Sequence, residues 1–391
     1  MNTLRLTARA EKRLKSGHLW IYSNEIDTQQ TPLKNISAGE QVAIENSQGR
    51  VIAHAVINPN ALICGRILSQ HKPFNRRQLK QAIENALALR ETCFAEPYYR
   101  LVYAEGDYLP GLIIDRFATI CVVQINSLGL EVYQQDIAEI LQEVVGATGV
   151  LFRNDGNSRK QEGFAEQENL CIGEVPDLVE LVENGTRFLA PVKTGQKTGW
   201  FYDHRANRAQ LARLCPGKRV LDVFSYIGAW GIQALNAGAE SLTSIDASEF
   251  ALDCLEQNAG LNGFHDQTTC YQGNAFDAMA ALLESGEKFD VVVLDPPAFI
   301  KKKKDFNNGL QAYRKANEMA LRLLAPDGIL ASGSCSMHLS QQDLQECVQR
   351  SARHVDRRLS LIYRGGHAAD HPIHPAIAET EYLKAQIFSL R

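Results

Sequence analysis

Hydrophobic and polar residues alternate in short runs along the first 70 positions. Gln41–Glu45, Val51–Ile57 and Leu62–Leu68 each repeat with a period of two, and Asn46-Ser47-Gln48-Gly49 separates the first pair. That is the pattern of half-buried strands joined by turns. Ahead of them, Ala8–Ser16 reads as a short basic helix closed by Gly17. From Asn75 to about Cys93 the period lengthens, with Leu79, Ile83, Ala86, Leu87 and Arg90 at helical spacing. Strands at Ile113–Asp115, Thr119–Ile125 and Val150–Arg153 and a helix around Tyr133–Val144 then make a mixed stretch. The expected organisation is a β-rich module over 1–70, an α+β domain over 73–185 and a third domain over 186–391.

The rhythm becomes regular from Gly217. Strands are expected at Arg219–Phe224, Leu242–Asp246, Thr268–Gln272, Val291–Asp295 and Ile329–Gly333. Helices fall between them at Trp230–Asn236, Glu249–Asn262 and Asn308–Leu324; Gly238 and Gly263 close the first two and Ser248 caps the second. Strand–helix alternation predicts an α/β domain with a parallel sheet covered on both faces, which binds ligands beyond the carboxyl ends of its strands.

Composition changes this picture in two places. The chain of 391 residues carries a formal net charge of −4, but residues 1–80 hold 12 Lys/Arg against 5 Asp/Glu. A basic N-terminal module on an acidic remainder suits phosphate contact, although small domains are also basic by chance. The nine cysteines are scattered, with no Cys-x-x-Cys pair. That argues against a disulfide framework and a structural zinc site and for a reducing cytoplasm. No run reaches the roughly 18 apolar residues of a membrane span, and no signal-peptide core is visible, so no membrane partner is expected.

Candidate chemistry collects at the predicted strand ends. The first strand leads into VLDVFSYIGAWGIQAL, where Gly228 and Gly231 open the helix and Asp222 and Ser225 flank the loop. The G-x-G-x-x-G pattern that crowds a pyrophosphate is absent, which argues against a nicotinamide oxidoreductase. A looser loop with a carboxylate suits a cofactor that has a cationic centre and no phosphates. Asp246 ends the second strand, where a carboxylate can take both hydroxyls of a ribose, and Asn274 after the third is placed for an adenine amino group. Each acidic strand end alone could equally be a helix cap.

The succession Phe224-Ser225-Tyr226-x-Gly228, Asp246, Gly273-Asn274-Ala275-Phe276, Asp295-Pro296-Pro297-x-Phe299 and Ser334-Cys335-Ser336 resembles the class I S-adenosylmethionine-dependent RNA methyltransferases. Closer still is the likeness to their large-subunit rRNA cytosine-carbon-5 members, including QKTGWFYDHRANR (196–208), AADHPI (368–373) and EYLKAQIF (381–388). The resemblance covers nearly the whole chain. It implies a Rossmann-like methyltransferase domain, a PUA-type RNA-binding barrel over 1–70, S-adenosylmethionine as cofactor and ribosomal RNA as partner. It also implies that Asp222, Phe224, Ser225, Tyr226, Gly228, Asp246, Ala247, Asn274, Ala275 and Asp295 hold the cofactor. Two departures stand out: Asn274 replaces the Asp of many relatives, and Ala298 stands where close relatives often have Lys and two-cysteine enzymes have Cys.

Carbon 5 of cytosine is too weak a nucleophile to take a methyl group unaided, but a thiolate adding at carbon 6 makes the ring enamine-like. Cys335 is the expected thiol, and Asp295 the carboxylate holding the exocyclic amine and ring nitrogen 3. Pro296 and Pro297 fix that carboxylate, and Phe299 offers a stacking surface for a flipped base. Lys301 and Lys302, within the run Lys301–Lys304, would meet flanking phosphates unless they only solvate a loop. Arg5, Arg9, Lys12, Arg13, Lys15, Arg76 and Arg77 would extend that footprint, and Arg205 is a further substrate contact. Cys335 could instead be a small buried apolar residue. His367, Asp370, His371 and His374 match no metal-ligand spacing and are expected to anchor a loop. Two alternatives remain: methylation of a base nitrogen steered by Asp295, and a non-catalytic RNA-binding or ribosome-assembly protein. A homodimer stays open.

Overall fold

The computed structural model describes residues 1–165 and 167–391 in two compact units. The first comprises residues 1–179, 192–200 and 369–380, and the second 180–191, 201–368 and 381–391. Residues 1–70 and the α+β stretch after them thus share one unit, and the chain visits each unit more than once.

The first unit begins with β1 (Thr3–Arg5), α1 (Ala8–Lys15), β2 (Trp20–Tyr22), β3 (Glu40–Glu45), β4 (Val51–Ile57) and β5 (Ile63–Ser69). They form a sheet in the order β1-β3-β4-β5-β2 around Leu4, Ile21, Val42, Ile44, Ala55 and Ile57. α2 (Arg76–Cys93) starts from a capping box: the Asn75 side chain accepts the Arg77 and Gln78 N–H groups, and the Asn75 N–H donates to Gln78 Oε1. A second sheet follows, built from β6 (Tyr98–Tyr103), β7 (Leu112–Phe117), β8 (Ile120–Ile125), β9 (Gly149–Phe152) and β10 (Leu170–Gly173), with α3 (Leu128–Glu131), α4 (Gln134–Val145) and α5 (Asn157–Glu162) between strands. Its order is the simple β10-β9-β8-β7-β6.

Arg90 lies on the buried face of α2 among Leu79, Ile83 and Ala86 and is fully buried. Both its terminal nitrogens donate to the Asp107 carboxylate, and its Nε donates to the Arg100 carbonyl. The Asp370 carbonyl accepts a further bond from it at 2.8 Å, while the Asp370 carboxylate accepts the Arg100 N–H at 3.0 Å. His371 Nδ1 lies 2.9 Å from Asp370 Oδ1, and Tyr103 donates its hydroxyl proton to the Thr380 carbonyl. Segment 369–380 is therefore anchored by satisfying buried charge in the first unit.

The second unit opens with a hairpin, β11 (Val179–Glu183) and β12 (Thr186–Ala190), and α6 (Arg205–Ala212). Its main sheet contains β13 (Arg219–Val223), β14 (Ser241–Asp246), β15 (Thr268–Gln272), β16 (Phe289–Leu294), β17 (Leu324–Ser334), β18 (Leu359–Gly365) and β19 (Lys384–Leu390). The covering helices are α7 (Ala229–Asn236), α8 (Glu249–Leu261), α9 (Ala275–Glu284), α10 (Phe306–Leu323) and α11 (Gln341–His354). Strand order is β15-β14-β13-β16-β17-β19-β18, with parallel pairing from β15 through β17. β19, however, runs antiparallel to both β17 and β18. The five strands expected from strand–helix alternation are parallel as expected, and two strands that the alternation did not reveal, β18 and β19, make the sheet mixed. No helical crossover separates β18 from β19, so the chain can turn back on itself.

Candidate active site

Five parallel strands bring their carboxyl ends to one edge of the sheet, and the sequence-predicted residues converge there. Asp222, near the end of β13, is completely buried, and its Oδ2 accepts the Gly231 N–H at 3.1 Å. Its Oδ1 has no hydrogen-bond partner among the described residues. Burial pushes the carboxyl up to about 7, the charges of Asp295 and Asp246 add to the rise, and the Gly231 N–H and Arg208 oppose it. A buried carboxylate with one oxygen unpartnered among the described residues suits a positively charged ligand.

The loop that follows is strained in place. Phe224 and Tyr226 adopt left-handed backbone with φ of 67° and 49°. Residues held there cost about 1–3 kcal/mol each and persist where surrounding contacts enforce them. Here the contacts are visible: the Phe224 and Ser225 N–H groups donate to the Ile245 carbonyl, and the Tyr226 N–H to Asp246 Oδ2 at 2.9 Å. Gly228 has φ of 87°, and a Cβ on it would meet Ile232 and Leu255 within 2.8 Å. At Gly231 a Cβ would come within 2.4 Å of Leu242, so the helix can approach β14 only with glycine.

Asp246 Oδ1 accepts the Ser248 N–H at 2.9 Å, so both carboxylate oxygens are oriented by backbone donors and each retains acceptor capacity. Ala247 next to it is exposed, and Ala275 is buried at the start of α9. Asn274 caps α9 by accepting the Phe276 N–H at 2.9 Å on its Oδ1. That bond turns the Asn274 amide NH2 outward as a donor. The Oδ1 retains a second lone pair, so Asn274 can meet an adenine edge as donor or as acceptor.

Asp295 follows β16 with its side chain 24% exposed. Trp230 Nε1–H donates to its Oδ2 at 3.0 Å, and His204 Nε2 lies 3.3 Å from its Oδ1. Burial pushes the carboxyl up, but the attraction of His204 and the hydrogen bonds from His204 and Trp230 outweigh it, leaving Asp295 below the usual carboxylate range. An ionised Asp295 is acceptor-only. It can take an exocyclic amine but cannot itself supply a proton to ring nitrogen 3.

β16 and β17 pair Leu294 with Ser332, so Asp295 lies one register step on, beside Gly333. A Cβ on Gly333 would sit 3.1 Å from Asp295 Oδ1. The turn carrying Cys335 is braced from below: the Tyr313 hydroxyl lies 2.8 Å from both Ser334 Oγ and Ser336 Oγ, and the Ile300 N–H donates to Ser336 Oγ at 3.2 Å. Ser336 thus ties the Cys335 turn to the loop after Asp295, and Tyr313 ties both serines to α10. Cys335 itself is half-buried.

Other predicted residues lie differently. Arg205 is buried with its Nε 3.5 Å from Glu183 Oε2 and its guanidinium 5.0 Å from the Tyr202 ring centroid. Glu183 also holds Arg208 and Gln233, which makes Arg205 part of an internal ionic cluster rather than an exposed RNA contact. Phe299 packs against Phe224, Phe276 and Tyr313 at centroid distances of 6.2, 6.3 and 4.9 Å. Much of its ring is engaged in this cluster. Pro296 is buried, whereas Pro297, Lys301 and Lys302 are exposed. In the first unit, Arg5 pairs with Glu45, Arg13 with Glu25, Lys15 with Glu11, and Arg76 with Asp136, Glu139 and Glu143. Arg9, Lys12 and Arg77 are exposed.

His204, Trp230 and Tyr313 were not singled out by sequence reasoning. Each is an ordinary helix or core position until the fold aims it at Asp295 or at the Ser334–Ser336 turn. His204 had one clue, since it lies in FYDHR, where an aromatic pair is followed at once by charge.

The family model for PUA-like domains matches residues 4–70, and that for S-adenosylmethionine-dependent methyltransferases matches residues 163–388. A ribosomal RNA large subunit methyltransferase I from Aeromonas salmonicida is 36% identical over 391 residues, covering 97% of each chain. Its counterpart from Tolumonas auensis is 34% identical over 393 residues, covering 98% of each. Among solved structures, a SAM-dependent methyltransferase from Streptococcus mutans superposes with a TM-score of 0.83 over 100% of both chains at 19% identity. Another methyltransferase, solved with S-adenosylhomocysteine bound, gives a TM-score of 0.84 over 100% of both chains, also at 19% identity. These two similarities establish the fold.

Proposed function

The chain belongs to the S-adenosylmethionine-dependent methyltransferase family that includes ribosomal RNA large subunit methyltransferase I, and on that premise we propose that it methylates carbon 5 of a cytosine in large-subunit ribosomal RNA through a covalent bond from Cys335. S-adenosylmethionine is its cofactor, and it supplies an electrophilic methyl group on a sulfonium. The free acceptor oxygen of Asp222 supports a role for that residue beside the cofactor's positive charge. Asp246, Asn274 and the backbone from Phe224 to Gly228 would hold the rest, with Ala247 and Ala275 lining the loops.

The observation that carries the carbon-5 reading is the fastening of the Cys335 turn to the Asp295 loop through Ser336 and Tyr313. A thiol and a carboxylate fixed on adjacent strand ends can act on one base. The Cys335 thiolate adds to carbon 6 and pushes electrons toward carbon 5, which then takes the methyl group. Asp295 accepts the exocyclic N–H throughout, orienting the ring. Loss of the carbon-5 proton to a base then drives elimination of the thiolate, which returns the enzyme unchanged. The exposed Lys301 and Lys302 would meet RNA phosphates next to the base, and the PUA-like residues 4–70 would supply a separate RNA contact.

The ionised, acceptor-only Asp295 also favours a second reading, in which it grips an exocyclic amine for methylation at nitrogen and Cys335 has no part. One substitution separates the two. Under the carbon-5 reading, Cys335→Ala abolishes methylation and leaves cofactor affinity unchanged, and RNA carrying 5-fluorocytosine at the target traps a covalent complex with the unsubstituted enzyme. Near-normal methylation by Cys335→Ala overturns that reading in favour of nitrogen.

A further inference from the structure

Lys384 opens β19, directly across from Ser334 in the antiparallel register with β17. It is 4% exposed, the only charged residue in the strand segment Lys384–Leu390. Its Nζ donates to the Ser336 carbonyl at 2.6 Å and to the Tyr382 carbonyl at 2.7 Å. The ammonium therefore lies against the turn that carries Cys335, touching the carbonyl on its far side and paired with the residue on its near side.

Two carbonyls satisfy two of the three N–H donors but offer no countercharge. A buried ammonium without one is expensive, and the hydrogen-bond partners of this one among the described residues are both neutral carbonyls. We propose that the countercharge is the Cys335 thiolate, and that Lys384 is a positioning residue whose fixed positive charge keeps Cys335 ionised and ready to attack carbon 6. The inference rests on the carbon-5 reading for its purpose, though not for its chemistry.

The electrostatics are reciprocal. Burial pushes Lys384 down to about 8, while the charges of Cys335, Glu381 and Asp343 pull it back up. Any attraction by which the thiolate favours the ammonium equally favours the thiolate. Around neutral pH Lys384 is mostly protonated, and its influence fades as pH rises through 8. Burial raises the Tyr313 hydroxyl, and the Cys335 charge raises it further. Tyr313 therefore remains a neutral hydroxyl bonded to the two serines and does not compete as a base.

The test reads Cys335 directly. Purified full-length protein is alkylated with iodoacetamide between pH 5.5 and 9, and modification of Cys335 is quantified by peptide mass spectrometry. The exposed Cys93 and Cys171 serve as internal controls. In the unsubstituted protein Cys335 reacts at lower pH than Cys93. In Lys384→Gln, which keeps donors for both carbonyls but has no charge, the Cys335 rate at pH 7 falls about tenfold, with Cys93 and cofactor affinity unchanged. Lys384→Met behaves the same way, and Lys384→Arg recovers part of the rate. A Cys335 profile that coincides with Cys93 in the unsubstituted protein, or that does not move in Lys384→Gln, overturns the inference. Cys335→Ala methylation separates the two layers. If that variant is inactive while alkylation ignores Lys384, the nucleophile stands and the inference falls. If it is active while alkylation depends on Lys384, the ion pair stands and the carbon-5 reading falls.

Discussion

Asp222 should destabilise the ligand-free protein above about pH 5, and replacing it with asparagine should reveal this. In an unfolded chain the carboxyl ionises near pH 4, whereas burial holds it protonated in the fold up to about 7. Between those values the folded protein keeps a proton that the unfolded chain has lost, so stability falls as pH rises, by about 1.4 kcal/mol per pH unit. Across the whole window that is about 4 kcal/mol. Asp222→Asn lacks this slope. Its amide oxygen can still accept the Gly231 N–H, but the NH2 inherits the place of the unpartnered Oδ1, which costs about 1–3 kcal/mol at every pH. The variant is therefore close to or below the parent in stability at pH 5 and gains on it by about 3 kcal/mol by pH 8. Urea titrations at both values measure this difference. Saturating S-adenosylmethionine should shrink the difference at pH 8, because a cation beside Asp222 favours its ionised form. A gap of the same size at pH 5 and pH 8 would refute the assignment of Asp222 as a strained, protonatable carboxyl.

Asp246→Ala should weaken S-adenosylmethionine binding by about 1–3 kcal/mol, read by calorimetry, because it removes acceptors and frees the Tyr226 N–H that fixes the loop. Trp230→Phe removes one of the hydrogen bonds keeping Asp295 ionised, so the acid limb of the kcat/KM profile should move to higher pH; an unmoved limb would remove Asp295 ionisation from the reaction. Charge reversal at the exposed Arg9 and Lys12 should weaken RNA binding and flatten its dependence on salt, leaving cofactor affinity alone. Reversal is the cleaner probe there, since Gly129 packs so closely on Val56 of β4 that deleting residues 1–70 would uncover the rest of the first unit.

The sequence was most legible where local physics and fold agree. Period-two alternation located β3, β4 and β5, and the strand–helix rhythm located β13 to β17, because buried parallel strands are continuous apolar runs bounded by glycine and acidic caps. It was silent at β1 and β2, which have three residues each, too few to show a period. It was silent on β18 and β19 too, and the antiparallel run of β19 depends on the connection rather than on the strand's own residues. Arg205 illustrates the limit for function. An arginine in a polar stretch reads as a phosphate contact, and only the hairpin that delivers Glu183 shows it to be internal. Lys384 is the opposite case, since a lone charge heading an apolar strand was a visible anomaly whose meaning required the register with Ser334.

Arg90 has a consequence for the order in which the protein can be made. Synthesis proceeds from the N-terminus, and the partner that accepts the last of its hydrogen bonds is 280 residues further along. Until Asp370 leaves the exit tunnel, the Arg90 guanidinium has Asp107 and the Arg100 carbonyl but not the Asp370 carbonyl, the Arg100 N–H is without the Asp370 carboxylate, and Tyr103 is without the Thr380 carbonyl. The first unit is therefore held short of its final state through most of translation, although its two sheets are complete by residue 173. Its late closure couples the maturation of the N-terminal sheets to arrival of the segment lying between β18 and β19. A nascent chain stalled before residue 369 should consequently remain protease-sensitive in α2 and β6, and resistance should appear only in chains whose residues 369–380 have been made and have left the tunnel.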